Sequence, residues 1–244
     1  MSNVGAALGA KLGATPLRYP GKVVTPDFQR ARRPEHKEQR REAILAAARA
    51  LATRDGVRAV NLGDIAAEVG VHKSALLRYF ETREEIYLQL TAEYWADWAA
   101  QLRVALPAAE PTPAGVAAVI TKTLTDRPLF CDLLAHAPLN LERHVSLETV
   151  RRFKVHSLER VDEIAEVLGQ TLPGLGRDGG RKAVAAVNAF AAAFWQISHP
   201  GEVLAQLYTE MPEVGHTVLD FAGRVEELTA AVLTGLVRGG SPAA

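Results

Sequence analysis

Lys73, Ser74, Arg78 and Tyr79 crowd into seven residues, KSALLRY (residues 73–79), directly after His72. Cationic side chains pair with phosphate oxygens and base edges, and the serine and tyrosine hydroxyls both donate and accept hydrogen bonds. The set therefore suits recognition of a polyanion better than turnover. Helical spacing puts Leu76 and Phe80 on one face and projects Ser74, Leu77 and Arg78 away from it. A leucine turned outward between polar residues is unusual on a solvated helix, so this face is expected to meet a partner.

Other chemistry is poorly supported. The seven histidines, at 36, 72, 136, 144, 156, 199 and 216, never recur at the three- or four-residue spacing of a helical metal site. GLGRDG (174–179) satisfies G-x-G-x-x-G but follows a helix end and no strand, so a loop between helices is expected. Neither a G-x-S-x-G nucleophile elbow nor a Walker sequence occurs. No catalytic residue, metal or cofactor is expected. Cys131, the only cysteine, reads as a small buried hydrophobe and suits a reducing cytoplasm.

The elements that must position this segment read as helices throughout. Ile44, Ala47, Ala48 and Leu51 define the stripe of a first firm helix after Pro34, and Gly56 ends it. Asn61 caps a short second helix with Leu62, Ile65, Ala66 and Val69 inward, and Gly70 stops it. After the Gly70-Val71-His72 turn, a third helix is expected from Lys73 to Phe80, completing a helix-turn-helix. Thr82 and Glu85 form a capping box for a fourth helix running to about Leu106. Thr112-Pro113 and Arg127-Pro128 start two more, and Ser146 begins a long amphipathic helix to Leu168. Residues 183–198 form an uncharged helix, and the last runs from about Asp220 to Val237. That uncharged stretch has 16 residues, short of the roughly 20 a membrane span needs. The fold class is all-α, nine or ten helices, organised as a basic extension (1–34), a helix-turn-helix domain (35–82) and a larger body (83–244).

Charge divides the chain. Residues 1–80 carry 14 Lys+Arg against 7 Asp+Glu, whereas 81–244 carry 14 against 21, so a formally neutral protein has a basic start and an acidic remainder. The balance from residue 11 to 41 alone is 9 basic to 3 acidic, and such a run either is a solvated tail or lies in a groove of nucleic acid. The N-terminus lacks an apolar core of the secretory kind. A cytoplasmic location is expected.

Residues 40–86, RREAILAAARALATRDGVRAVNLGDIAAEVGVHKSALLRYFETREEI, resemble the DNA-binding domain of the tetracycline-repressor (TetR) family of bacterial regulators. The resemblance rests on the order Asp55-Gly56, the cap before the second helix, Ile65-Ala66, Gly70-Val71 at the turn, and Tyr79-Phe80 before the fourth helix. It implies DNA contacts from Asn61, Gly63, Lys73, Ser74, Ala75, Leu77 and Tyr79, and a phosphate contact from Arg83. The family often has Ser or Thr at the position of His72, Gly at that of Ser74 and Tyr at that of Leu77. Gly63 offers no side chain, which throws weight onto Lys73 and phosphate contacts. The implied partner is a pseudo-palindromic double-stranded operator, bound by a homodimer that a small molecule releases.

In the body, Tyr94, Trp95, Trp98, Phe130, Leu133, His136, Phe153 and His156 are candidates for lining an effector cavity, with Asn140 and Asn188 further polar candidates. Small and apolar residues of the 183–198 helix, and Ala222, Val225, Leu228, Thr229, Val232 and Leu236 of the last helix, suit a symmetric four-helix interface. Two rival readings stay open: an all-α carrier or enzyme with an incidentally basic start, and a DNA-binding regulator without an effector.

Overall fold

Short polar residues close the first turns of the helices and set where the chain changes direction. In the computed structural model, which describes residues 26–214 and 220–240, the chain divides into two units between Glu38 and Gln39. The expected extension lies outside the described residues up to 25. From there α1 (Pro26–Asp55) is already helical and runs through Pro34, where a helix start was expected. A proline inside a helix removes one donor, and the segments QRARR before it and HKEQRREA after it are rich in residues of good helix propensity.

Asn61 caps α2 (Leu62–Val69), accepting from the N–H of Gly63 and Asp64, while Asp64 accepts from the N–H of Asn61 in return. Gly70 ends α2 at φ 72°, a left-handed conformation that glycine adopts without a Cβ clash. His72 caps α3 (Lys73–Leu76) through Nδ1. This helix is shorter than expected: beyond Leu76 the N–H groups of Arg78 and Tyr79 bond three residues back, to Ala75 and Leu76, tightening the chain into turns before Phe80.

Thr82 caps α4 (Arg83–Ala105), and Glu85 returns to the N–H of Glu81 at 2.8 Å. Thr112 and Ser146 likewise cap α5 (Pro113–Thr125) and α7 (Leu147–Thr171). Proline opens α6 (Pro128–His136), but Arg127 makes no side-chain cap and reaches Gln101 and the Thr123 carbonyl. A π turn, Ala137–Leu141, follows α6. Helix α8 (Gly176–Ser198) begins earlier than expected, so the second half of GLGRDG is its first turn. The short α9 (Glu202–Glu210) buries none of its residues, and α10 (Phe221–Gly240) closes the body. Among the described residues there are ten α-helices and no strand, and no helix is long and apolar enough to cross a membrane.

Helices α4, α5, α7, α8 and α10 pack around one core in the body, with α6 against α8. Where α7 and α8 approach, a Cβ on Gly180 would meet the Ala165 carbonyl oxygen at 2.4 Å, so only glycine permits that spacing. A second core joins Ile44, Leu45, Ile65, Leu76 and Phe80 of the first three helices to Ile86 and Leu90 of α4, Leu129 and Leu133 of α6, and Phe153 of α7. The helix-turn-helix thus shares its apolar interior with the body.

Candidate nucleic-acid interface and body cavities

The α3 segment divides by face as its spacing requires. Leu76 and Phe80 are buried, Lys73, Ser74 and Arg78 are exposed, and Leu77 remains 45% exposed. Ala75 and Tyr79 are half-buried at the edge of that surface. The result is a short basic patch with a bare leucine inside it, on a support made rigid by the apolar face beneath.

Asn61 is exposed, but its side-chain oxygen is committed to the cap, which leaves the amide NH2 to face outward. Gly63 has a local reason to be glycine, since a Cβ there would lie 2.9 Å from Asn61 Oδ1. His72 is exposed, and its Nδ1 is 2.9 Å from Ser74 Oγ and accepts from the Ser74 N–H at 3.3 Å.

Arg41, which charge counting offers to DNA, and Arg83, which the resemblance offers as a phosphate contact, are both turned into the protein. Arg83 donates to the carbonyls of Val57 and Val60, pairs with Glu84 at 3.1 Å, and stacks 4.8 Å above the Tyr87 ring. Arg41 donates to the Tyr79 carbonyl at 2.6 Å and to Gln89 at 2.7 Å, with its guanidinium 4.2 Å over Phe80. Only a planar fork can make two such bonds and a stacking contact together. Arg41 braces the end of the α3 segment and Arg83 the α1–α2 turn; neither contact has a sequence signature, because the partners lie 38 and 26 residues away.

A third link joins the body to the α1–α2 turn. The Asp132 carboxylate of α6 accepts from the Val57 N–H at 2.7 Å and from Gln196 of α8 at 3.4 Å, and lies 3.3 Å from His136 Nδ1. Burial pushes the Asp132 carboxyl upward, but the bonds from His136 and Val57 more than offset it and hold it below the ordinary carboxylate value. Conversely Asp132 raises the His136 imidazole above its ordinary value, against the opposing effect of burial.

The expected cavity-lining residues separate into distinct settings. Tyr94, Trp95, Trp98 and Phe130 pack on one another with ring centroids 5.4 to 5.9 Å apart, and Trp98 Nε1 donates to Thr123 Oγ1 at 2.9 Å. These rings mostly fill core, because edge-to-face and stacked contacts leave no room between them. Leu133 is buried in the core shared with the helix-turn-helix. His156 is exposed on α7, with Nδ1 2.8 Å from the Arg152 carbonyl. Trp95 and Phe153 do border a cavity of about 310 Å³ between α4, α6, α7 and α8, together with Leu134, Ala137, Ser157, Val161, Val184 and Asn188. His136 borders a larger and more polar recess of about 660 Å³ with Asp132, Trp195, Gln196 and His199 beside the α1–α2 turn. Cys131 is buried, and burial pushes its thiol up to about 12, which removes it from thiolate chemistry at neutral pH. No group of three or more metal-ligating side chains occurs among the described residues.

On α8 only one face is covered. Ala183, Val184, Val187 and Ala191 are buried, whereas Ala185, Ala189, Ala193 and Ile197 are exposed and Phe190 stacks on Phe194 at the margin. Within one chain the uncharged helix thus covers one face and leaves the other exposed. On α10, Val225 and Thr229 turn into the body's own interior, which removes them from the expected outer surface and leaves Leu228, Ala231, Val232 and Gly235 toward the outside.

Comparison with known proteins matches both parts of the chain. A profile described as bacterial regulatory proteins, tetR family, matches residues 44–90. A second, described as the tetracyclin repressor-like C-terminal domain, matches residues 92–239. Among solved structures the chain is similar to a candidate transcriptional regulator from Pseudomonas aeruginosa PAO1, at 17% identity over 83% of this chain and 92% of that one, TM-score 0.50. It is also similar to the fatty acid degradation regulator FadR from Bacillus halodurans, at 14% identity over 78% and 94%, TM-score 0.49. A transcriptional regulator of the TetR/AcrR family from Thermobifida fusca YX-ER1 matches at 21% identity over 81% and 98%, TM-score 0.47. No curated relative matches the chain significantly.

Proposed function

Since the chain belongs to the TetR family of bacterial regulatory proteins, we propose that it is a cytoplasmic homodimeric repressor that releases a pseudo-palindromic operator when a small molecule enters the body. In this reading Lys73, Ser74, Ala75, Leu77 and Tyr79 form the surface presented to the major groove, flanked by Asn61 and Gly63. Leu77 is exposed because DNA covers it in the working complex. Arg83 and Arg41 hold that surface in place from behind.

What carries the effector part of the reading is the double engagement of α6. Its Asp132 holds the Val57 N–H of the α1–α2 turn, and within two turns its Leu134 and the adjoining Ala137 border the cavity with Trp95 and Phe153. A molecule filling that cavity bears on the same helix that grips the DNA-binding segment. If it prefers a position of α6 in which the grip is altered, occupancy and operator affinity are coupled. The exposed small-residue faces of α8 and α10 supply a self-complementary surface for the dimer.

Selecting bound duplexes from a random pool, then titrating the recovered operator by fluorescence anisotropy, tests the DNA part. Symmetric half-sites about one helical turn apart are expected. Failure to recover any specific sequence at low salt overturns it, and the carrier reading then takes its place.

A further inference from the structure

The cavity between α4, α6, α7 and α8 has an uneven chemistry that narrows what it can hold. Most of its wall is apolar: Trp95, Leu134, Phe153, Val161 and Val184. Ser157 and Asn188 border it as well. Ser157 Oγ on α7 and Asn188 Oδ1 on α8 are buried, and neither has a hydrogen-bond partner among the described residues. Thr121 and Thr229 also have buried hydroxyls without a partner, but of the three only Ser157 borders this cavity. The hydroxyls of Thr91, Thr171, Thr209 and Thr234 each donate to the carbonyl four residues back, the default for a helical hydroxyl, and Ser157 does not. Leaving buried polar atoms unpaired is costly, so two of them on facing helices at one cavity mark a place for a polar group from elsewhere.

Charge is handled differently. Lys154 and Glu142 also border the cavity and pair with each other at 2.7 Å. An anionic ligand drawn to Lys154 would strip Glu142 of its cation, and the Glu142 side chain is only 19% exposed. A cationic ligand would have to displace Lys154, whose side chain is 51% exposed, and would gain little over the pair already formed. Neither is favoured over a neutral molecule.

We propose that the effector is an uncharged, mainly apolar molecule of on the order of a dozen non-hydrogen atoms at interior packing density, with a hydroxyl held between Ser157 and Asn188. A hydroxyl both donates and accepts, so it satisfies the pair whichever way the Asn188 amide is turned. The proposal rests on the reading that this cavity takes the effector.

Three probes of matched shape test it on the full chain: 4-propylphenol, 4-propylbenzoate and propylbenzene. Calorimetric titration is paired with operator release in the same samples. The phenol is expected to bind about tenfold tighter than the benzoate. Asn188→Leu and Ser157→Ala are each expected to weaken the phenol by about tenfold, as loss of one hydrogen bond predicts, while propylbenzene binds the variants and the wild type alike. The wild-type ranking needs no variant to fold. Equal or tighter binding of the benzoate, phenol affinity unchanged in both variants, or no binding of any probe overturns the proposal. Binding in the expected order without operator release leaves this assignment standing and removes the effector reading. Release by the benzoate alone does the reverse.

Discussion

Asp132 and Val57 are 75 residues apart in sequence and joined by a 2.7 Å hydrogen bond from the Val57 N–H to the Asp132 carboxylate. That bond ties a helix of the body to the turn leading into the DNA-binding segment, and His136 flanks the same carboxylate. Changes at either acid or imidazole should therefore be felt at the DNA.

Asp132→Ala leaves a part-buried N–H without its acceptor. The expected loss of stability is about 1–3 kcal/mol, with weaker operator binding in a protein that is still dimeric. Denaturant titration and anisotropy measure the two effects. Unchanged operator affinity would show that the link is only structural.

The same pair makes stability depend on pH. His136 is raised above its ordinary 6.5, so its contribution is complete below that value and is lost as pH rises through the folded value. Asp132 is lowered from 3.8, so its contribution is present above that value and is lost as pH falls through the folded one. The difference in melting temperature between wild type and His136→Gln should be largest between these limits and shrink above pH 6.5. A difference that is flat from pH 5.5 to about 8.5, two units above the ordinary imidazole value, would remove His136 from the linkage.

Salt dependence separates the exposed cation from the inward ones. Lys73→Ala should weaken operator binding and, where Lys73 meets a phosphate, lower the slope of log K against log salt by about 0.9. Arg41→Lys should weaken binding with the slope unchanged and lower the melting temperature, because it breaks a positioning contact. An unaltered affinity for Lys73→Ala would take the main residue out of the proposed interface.

Ala193→Glu puts a charge on the exposed face of α8. In a symmetric pair the two charges would be buried near the two-fold axis, at a cost of several kcal/mol. The variant should sediment as a monomer and lose specific binding, since one recognition segment meets only one half-site. A dimer that binds normally would move the interface elsewhere.

Thr123→Val should cost about 1–3 kcal/mol despite its matching shape. Thr123 Oγ1 accepts from Trp98 Nε1 and donates to the Ile120 carbonyl, so valine leaves a buried indole N–H unpaired. Thr123→Ser should recover most of the loss in urea unfolding. Equal stability of valine and wild type would show that the indole finds another acceptor.

What could be read from the sequence was local. The caps at Asn61, Thr82, Thr112 and Ser146 act within three residues, and the inward pair Leu76 and Phe80 against outward Leu77 follows from helical period alone. Side-chain partners far along the chain had no such signal. Arg41 and Arg83 count as positive charge in a sum, and only the fold turns them onto carbonyls. A related limit applies to the aromatic candidates: periodicity tells that Trp98 and Phe130 face inward but not whether they meet a ligand or each other. Asn188 was visible only as a polar residue in an uncharged helix, and Ser157 not at all, because an unpaired hydroxyl is defined by what surrounds it.

The core that Ile65, Leu76 and Phe80 share with Leu129, Leu133 and Phe153 bears on how this regulator can be re-aimed. Cutting and rejoining at residue 82 would open a seam of close-packed side chains, and every foreign partner would have to refill it. If the proposed interface holds, exchange of DNA specificity is better done residue by residue on Lys73, Ser74, Leu77 and Arg78, which are all exposed. Those positions can change while the seam is kept intact.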